Sequence, residues 1–171
     1  RNTSDGTDWV QSTAPFSGTP TAIAFGEVDG TPKYVVGTET GNLYASSDGK
    51  TWTLSTSGHG SLSSITFFNG KFYAARLDDN SILSSSDGTQ WNILSYISEF
   101  ENGTRSICGD PIGHLYATGN GTGNYAYSSD YGKTWSVFPL GTPLNDAFLF
   151  EGANRVFLVG DGESSGITAV Y

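Results

Sequence analysis

The stretch Ser128-Ser129-Asp130-Tyr131-Gly132-Lys133-Thr134-Trp135 is the fullest copy of a motif that recurs along the chain. Its pattern is Ser-x-Asp-x-Gly-x-Thr-Trp. Three shorter copies, each with one residue fewer between Asp and Trp, are Thr3-Ser4-Asp5-Gly6-Thr7-Asp8-Trp9, Ser46-Ser47-Asp48-Gly49-Lys50-Thr51-Trp52 and Ser85-Ser86-Asp87-Gly88-Thr89-Gln90-Trp91.

The residue types of the motif predict a tight turn between two strands. Glycine adopts positive φ without steric cost, and an Asp side chain accepts hydrogen bonds from the backbone that follows it. Ser and Thr hydroxyls satisfy further backbone groups in the same turn. The tryptophan begins the next strand and has enough apolar area to hold the turn against the sheet.

The motif resembles the Asp-box, also called the BNR repeat, which joins the third and fourth strands of β-propeller blades. Sialidases, some other glycoside hydrolases and sortilin-like receptors contain such boxes. The resemblance implies that the box residues stabilise the fold and lie away from the functional face. These residues are Ser4, Asp5, Gly6, Trp9, Ser46, Asp48, Gly49, Trp52, Ser85, Asp87, Gly88, Trp91, Ser128, Asp130, Gly132 and Trp135.

The spacing of the motif predicts an all-β propeller. The four Asp residues are 43, 39 and 43 residues apart, and four short apolar runs fall within each interval. A period near 40 residues with four strands is typical of a propeller blade. We therefore predict one domain, 1–171, of four antiparallel four-stranded blades: 19–55, 62–96, 104–139, and 144–171 completed by 1–13.

The two chain ends complement each other. The sequence that joins 169–171 to 1–6 matches 43–49, so the N-terminal strand is predicted to complete the last blade and remove its exposed edge. The same complementarity allows three other arrangements: part of a longer propeller, two copies in an eight-bladed ring, and a polymer that self-associates through its terminal strands.

Composition excludes several classes of partner and site. The net charge is −9, with 8 basic and 17 acidic residues, which argues against binding to nucleic acid or anionic membranes. No apolar run is long enough to insert in a membrane. One cysteine, Cys108, and two histidines form no zinc pattern, and no catalytic constellation is recognisable. Sequons at Asn2, Asn102 and Asn120 favour secretion or cell-surface display.

The loops opposite the box turns are the predicted binding face, because loops on a rigid scaffold commonly carry function. Its candidate residues are Glu39, Arg76, Asp78, Asp79, Tyr96, Asn120, Asp161 and Glu163. The carboxylates among them are ligands that suit Ca²⁺, but no calcium-loop spacing is present, so neither a metal nor another cofactor is predicted.

These features predict a non-catalytic extracellular module for binding, adhesion or assembly, with a glycan or a protein as partner. One alternative is a glycan-processing domain, and another is a structural subunit that polymerises through blade completion. The resemblance to sialidases implies three arginines on a substrate carboxylate. The chain offers Arg1, Arg76, Arg105 and Arg155 but lacks the Arg-Ile-Pro motif of that family.

Overall fold

The computed structural model describes residues 7, 15–141, 144–150, 155–160 and 167–170. The strands in these ranges are β1 Pro20–Val28, β2 Thr31–Thr38, β3 Leu43–Ser46, β4 Thr53–Thr56, β5 Leu62–Phe68, β6 Lys71–Arg76, β7 Ser81–Ser85, β8 Asn92–Tyr96, β9 Thr104–Gly109, β10 Leu115–Gly119, β11 Asn124–Ser128, β12 Ser136–Pro139, β13 Leu144–Phe150, β14 Arg155–Gly160 and β15 Ile167–Val170. No helix that could span a membrane occurs in the described part of the chain.

The strands form four consecutive antiparallel sheets. Sheets one, two and three have four strands each, in the orders β1 to β4, β5 to β8 and β9 to β12, and sheet four contains β13 to β15. The prediction of an all-β chain is therefore confirmed. The predicted partner of β15 is the strand that begins at Trp9, which lies outside the described residues.

Two-residue turns join the first two strands of sheets one and two. Asp29-Gly30 and Asn69-Gly70 all have positive φ, between 47° and 75°. Two such residues in succession form the turn whose twist matches a right-handed hairpin, and Asp and Asn tolerate this region better than most residues. These turns set the pairing of Val28 with Thr31 and of Phe68 with Lys71.

Alternate side chains of each sheet pack against the sheets on either side. The core between sheets one and two is formed by Val35, Leu43, Leu62, Phe72 and Trp91 with their neighbours. Sheets two and three bury Tyr73, Ile82, Phe100, Ile107 and Leu115, and sheets three and four bury Cys108, Tyr116, Leu144, Ala147 and Leu158. The first strands β1, β5, β9 and β13 lie side by side in this order.

Hydroxyl groups also connect neighbouring sheets. On the first strands of the sheets, which we call the inner strands, Thr21 Oγ1 donates to the Leu62 carbonyl at 2.6 Å, and Ser63 Oγ donates to the Thr104 carbonyl at 2.7 Å. On a fourth strand, which we call an outer strand, Ser95 Oγ of β8 donates to the Gly132 carbonyl at 2.6 Å. Sheets two and three are thus attached both at their first strands and between β8 and the turn that precedes β12.

The up-and-down order of the strands gives the molecule two distinct ends. Turns after the first and third strands lie at one end, which we call the turn end. Loops after the second strands, and the connections between sheets, lie at the opposite end, which we call the connection end. The box turns are at the turn end, and the predicted binding face is at the connection end.

Candidate functional site

The three box turns in the described part of the chain share one hydrogen-bond pattern. In the turn at Asp87, Oδ1 accepts from the amides of Thr89 and Gln90 at 2.7 and 2.8 Å, and Oδ2 accepts from the Thr89 hydroxyl at 2.6 Å. Ser85 Oγ donates to Oδ1 and accepts from the Gly88 amide at 2.8 Å. Asp48 and Asp130 make the corresponding bonds.

These bonds hold the three carboxylates in their charged form. Hydrogen bonds from Thr134, through its side chain and its amide, lower the pKa of Asp130 to about 2. The Thr51 and Lys50 amides lower the pKa of Asp48. At Asp87 burial alone would raise the pKa, but the bonds from Thr89 and Gln90 outweigh it. Oxygens occupied in this way serve the turn and are not available to a ligand.

The box tryptophans differ in burial. Trp52 and Trp91 are buried, whereas Trp135 is half-buried. The fourth strand begins one residue after each of them, at Thr53, Asn92 and Ser136, and not at the tryptophan as predicted. Each tryptophan is therefore the last residue of the turn and not a paired residue of the fourth strand. The box residues Ser4, Asp5, Gly6 and Trp9 lie outside the described residues.

A bulge recurs near the start of every inner strand, at the connection end. The pairing with the second strand skips one residue in each sheet, and the skipped residues are Thr21, Ser63, Arg105 and Asn145. A bulge turns the extra residue out of the ladder. The four bulges surround an opening of about 450 Å³ between the inner strands, which Leu77 and Asp146 also line.

Arg105 differs from its counterparts in this opening. Thr21 and Ser63 each donate a hydroxyl to a carbonyl of the following sheet. The side chain of Arg105 has no acceptor or carboxylate partner among the described residues, and the residue is exposed. A guanidinium in this position can bind a carboxylate through two parallel hydrogen bonds.

Asp146 faces the same opening but is partly occupied. Its Oδ1 accepts from Ser106 Oγ at 2.6 Å and from the Ala147 amide at 2.8 Å. It is the one carboxylate among the described residues that line the opening. Hydrolysis of a glycoside by the usual route needs two such groups.

The structure uses several predicted binding residues to hold loops together. Arg76 Nη1 lies 2.7 Å from Asp79 Oδ2 and donates to Ser81 Oγ, while its Nε lies 3.5 Å from Asp78 Oδ1. Glu39 accepts from the Thr19 hydroxyl at 2.7 Å. These contacts stabilise the connection end and use part of the hydrogen-bonding capacity of each residue.

The remaining predicted residues are spread over the same end. Tyr96 is exposed at the end of β8. Asn120 donates its side-chain amide to the Asn102 carbonyl at 3.0 Å. Asp161 and Glu163 lie outside the described residues. No group of three or more metal-ligating side chains occurs within the described ranges.

Sequence reasoning missed the residues of the opening. Thr21, Ser63, Arg105 and Asn145 recur 42, 42 and 40 residues apart, and each precedes Ala, Ser or Asp at the start of an apolar run. This recurrence of a polar residue at the blade period was a usable signal. It is easily missed because apolar runs locate the inner strands, and a local pattern does not show that a bulge brings these four residues together.

Neither a protein-family model nor a curated protein sequence matches the chain. Among solved structures, the computationally designed protein Ika4 matches with a TM-score of 0.69 and 11% identity, over 95% of this chain and 99% of the designed one. A chain of the nidogen–laminin complex matches with a TM-score of 0.66 and 21% identity, over 84% of this chain and 57% of that chain. YCF48 bound to D1 peptide matches with a TM-score of 0.63 and 20% identity, over 91% and 52%.

At these identities the similarity shows the fold alone. Nidogen and YCF48 have β-propeller folds, which supports a propeller fold for this chain. The chain spans slightly more than half the length of these two natural chains.

Proposed function

We propose that this protein is a non-catalytic binding module that receives a carboxylate-bearing peptide segment of a protein partner at the opening between its inner strands. The observation that carries this proposal is Arg105, an exposed guanidinium whose counterparts Thr21 and Ser63 are engaged by the neighbouring sheet. A concave opening with a few convergent polar groups is the usual form of a binding site.

The chemistry of the opening favours binding over turnover. Asp146 is the single carboxylate there in the described ranges, and two of its hydrogen bonds are to its own protein. Two of the similar structures are complexes, one of nidogen with laminin and one of YCF48 with a D1 peptide. A protein or peptide ligand therefore suits this chain better than a glycan-processing reaction.

The test is selection from a randomised peptide library with free carboxyl termini, followed by calorimetry on a selected peptide. Arg105→Ala is expected to weaken binding at least about tenfold, because a charge-assisted pair is lost. The affinity of Arg105→Lys should lie between those of the parent protein and Arg105→Ala, since lysine keeps the charge but cannot form two parallel hydrogen bonds. Lys33→Ala, which removes a cation at the turn end, is the matched control.

Two results would overturn the proposal: no selected peptide, or a selected peptide that binds Arg105→Ala as well as the parent. Turnover of a glycoside that is abolished by Asp146→Asn would replace it with the glycan-processing alternative.

We also infer that the box turns are Asp-boxes and that the segment 1–13 completes the fourth sheet. The hydrogen bonds around Asp48, Asp87 and Asp130 support the first inference. An unpaired edge at β15 would be open to aggregation, which supports the second. Deleting 1–13 is expected to lower the thermal midpoint and promote aggregation, and an unchanged midpoint would contradict closure by this segment.

Extracellular location is part of the same proposal. Asn102 is exposed, and it lies next to Asn120 at the connection end, so that two sequons meet on one loop surface. Expression in a secreting eukaryotic cell should yield protein whose mass decreases on enzymatic deglycosylation. Unmodified secreted protein would remove this support.

A second candidate function is assembly of copies of this chain. One face of sheet one is apolar and open: Ile23 is 63% exposed and Phe25 is 50% exposed, whereas Ala22 and Ala24 of the same strand pack against sheet two. Light scattering should then show a mass above 18.1 kDa that Phe25→Ser reduces. A monomer at all concentrations would rule out this candidate.

A further inference from the structure

The turn at Asp130 contains one residue more than the turns at Asp48 and Asp87, and this residue is Tyr131. Its φ is +63°, which a non-glycine residue seldom adopts. Gly132, with φ +81°, takes the place that Gly49 and Gly88 occupy in the shorter turns. Strained residues of this kind are found preferentially at functional sites, so Tyr131 marks a candidate site.

The shorter turn leaves no space against the preceding sheet. A Cβ on Gly88 would lie 2.9 Å from Val35 Cγ2 and 3.1 Å from Lys33 Cγ, so this turn is packed directly onto sheet one. The longer turn packs elsewhere, because a Cβ on Gly132 would meet Leu94 Cδ2 at 3.0 Å and Leu115 Cδ1 at 3.2 Å.

The glycine of the longer turn therefore packs closest to the outer strand of sheet two, and not to the counterparts of Val35 and Lys33 on its second strand. Val35 pairs with Ala45 as Tyr73 pairs with Ser84, which makes Tyr73 and Lys71 these counterparts. A depression of about 290 Å³ lies at this place, between sheet two and the turn at Asp130. The residues that line it are Asn69, Lys71, Tyr73, Ser84, Leu94, Tyr131 and Lys133.

The polar groups of this depression are not used by the fold. Tyr73 is only 2% exposed, yet its hydroxyl has no hydrogen-bond partner in the described part of the chain. The hydroxyl of Ser84 and the side-chain amide of Asn69 likewise have none there. The Tyr73 hydroxyl oxygen itself is not fully buried, since it opens into the depression, where a ligand can form a hydrogen bond with it.

The free charge of the depression is positive. Lys71 and Lys133 are exposed and take part in no ion pair within the described ranges. The carboxylate in the adjoining depression, Asp110, is fully engaged: Oδ1 accepts from the amides of Ile112, Gly113 and His114, and Oδ2 contacts His114 Nδ1 and the Tyr116 hydroxyl. Two lysines without an opposing acid are notable in a chain of net charge −9.

We propose that the depression between Tyr131 and Tyr73 binds an anionic pyranose, a sugar ring that carries a carboxylate or a sulfate. Tyr131, which is 43% exposed, offers an aromatic wall of the size of one sugar ring. The groups on Asn69, Tyr73 and Ser84 match sugar hydroxyls, and the two lysines match the anion. An acidic peptide side chain would leave the hydroxyl and amide groups without partners, so a sugar is favoured.

This site lies at the turn end, opposite the opening at Arg105, and does not depend on the peptide-binding proposal. The two are distinguished by an amide chemical-shift titration of the full chain by NMR. Binding at the depression perturbs Asn69 and Lys133, whereas binding at the opening perturbs Arg105 and Asp146.

The probes are a hyaluronan tetrasaccharide, which carries carboxylates, a 6-sulfated galactoside, the carboxyl-reduced tetrasaccharide, and acetate or sulfate alone. At least one anionic sugar is expected to saturate the shifts of Asn69 and Lys133, and which one does so identifies the anion. The reduced sugar and the simple ions should bind at least about tenfold more weakly, because each supplies only half of the contacts. Raising the salt concentration should weaken binding.

Tyr131→Gly removes the aromatic wall and suits the positive φ, so this variant is expected to fold and to bind at least about tenfold more weakly. The double variant Lys71→Gln with Lys133→Gln should bind about fivefold more weakly. The matched controls are Asp29→Gly, which also places glycine at a positive φ of +49°, and Lys33→Gln, which changes the counterpart of Lys71; both should bind as the parent does.

Three outcomes would overturn the proposal. The first is that neither anionic sugar shifts Asn69 or Lys133. The second is that acetate or sulfate alone binds as tightly as the sugar. The third is that Tyr131→Gly, shown to be folded by its dispersed spectrum, retains full binding.

Discussion

The turn at Asp87 and the turn at Asp130 perform the same task with different lengths of chain. In both turns the Asp carboxylate accepts hydrogen bonds from two backbone amides and a threonine hydroxyl, and a serine hydroxyl accepts a hydrogen bond from a glycine amide. They differ in Tyr131. The shorter turn lies flat on the preceding sheet, and the longer one leaves a depression beside it.

The comparison shows that hydrogen bonds set the conformation of the turn while length sets its packing. A carboxylate with two oxygens accepts donors from several positions, so one added residue at positive φ is absorbed without loss of a bond. Packing has no such tolerance: the glycine of the shorter turn meets the second strand of the preceding sheet, whereas the glycine of the longer turn meets the outer strand of its preceding sheet.

The largest difference is expected at the two tryptophans. Trp91→Ala should lower the free energy of unfolding by about 3–5 kcal/mol, the usual cost of truncating a buried aromatic residue, and Trp52→Ala should do the same. Trp135→Ala should cost less, since this ring is half-buried. Denaturant unfolding measures all three. A loss below about 1 kcal/mol for Trp91→Ala would contradict its role as an anchor.

The next expected effect is the dependence of stability on pH. The folded pKa values of Asp48, Asp87 and Asp130 lie below the unfolded value of about 3.9, so the stabilisation is complete above that value and is lost as the pH falls. The unfolding free energy should therefore decrease from about pH 5 to about pH 2.

The two turns should contribute unequally to this loss. Asp87→Asn should flatten the pH profile more than Asp130→Asn, because the bonds to Asp87 are at least as short and its pKa is lowered further than that of Asp130. Denaturant titrations at several pH values check this order, and equal flattening would show that the two sets of bonds stabilise the charged form equally.

The serines that bind the two turns to the preceding outer strands offer a smaller contrast. Ser95 donates to the Gly132 carbonyl at 2.6 Å and accepts from Trp135 Nε1 at 3.0 Å, whereas Ser55 donates to the Gly88 carbonyl at 3.4 Å. Ser95→Ala should cost about 1–3 kcal/mol and Ser55→Ala less than about 1 kcal/mol. The reverse order would mean that sheet contacts, and not these bonds, position the turns.

The smallest effect is expected at Tyr131. Tyr131→Gly removes the strain of positive φ but gives the unfolded chain more freedom, and these changes nearly cancel. The free energy of unfolding should therefore change by less than about 1 kcal/mol in either direction. A loss well above that amount, measured by denaturant unfolding, would mean that the Tyr131 ring is a packing element of the turn.

Much of the fold followed from the sequence because the motif and the apolar runs repeat at one period. Apolar runs such as 72–75 and 115–117 lie within β6 and β10, and Asn69-Gly70, a pair typical of hairpin turns, joins β5 to β6. The limits came from non-local geometry. Whether the Arg105 side chain has a hydrogen-bond partner depends on its distance from carbonyl groups of the neighbouring sheet. No local sequence pattern indicates that distance.

The candidate site was harder to predict for a related physical reason. Arg76, Asp78 and Asp79 have the composition of a binding loop, but they neutralise one another, which becomes evident only from their separations. The depression at Tyr131 depends on where a glycine of one sheet meets a leucine of another. Sequence identifies the inserted tyrosine but not the space beside it.

Cys108 lies in the core that sheets three and four share, and burial, with Asp146 and Asp110 nearby, raises the pKa of its thiol to about 12. A thiol in this state does not react with alkylating reagents while the two sheets stay together. Modification of this protein should therefore proceed at the rate at which its last sheet detaches, so the single sulfhydryl acts as a natural reporter of local opening.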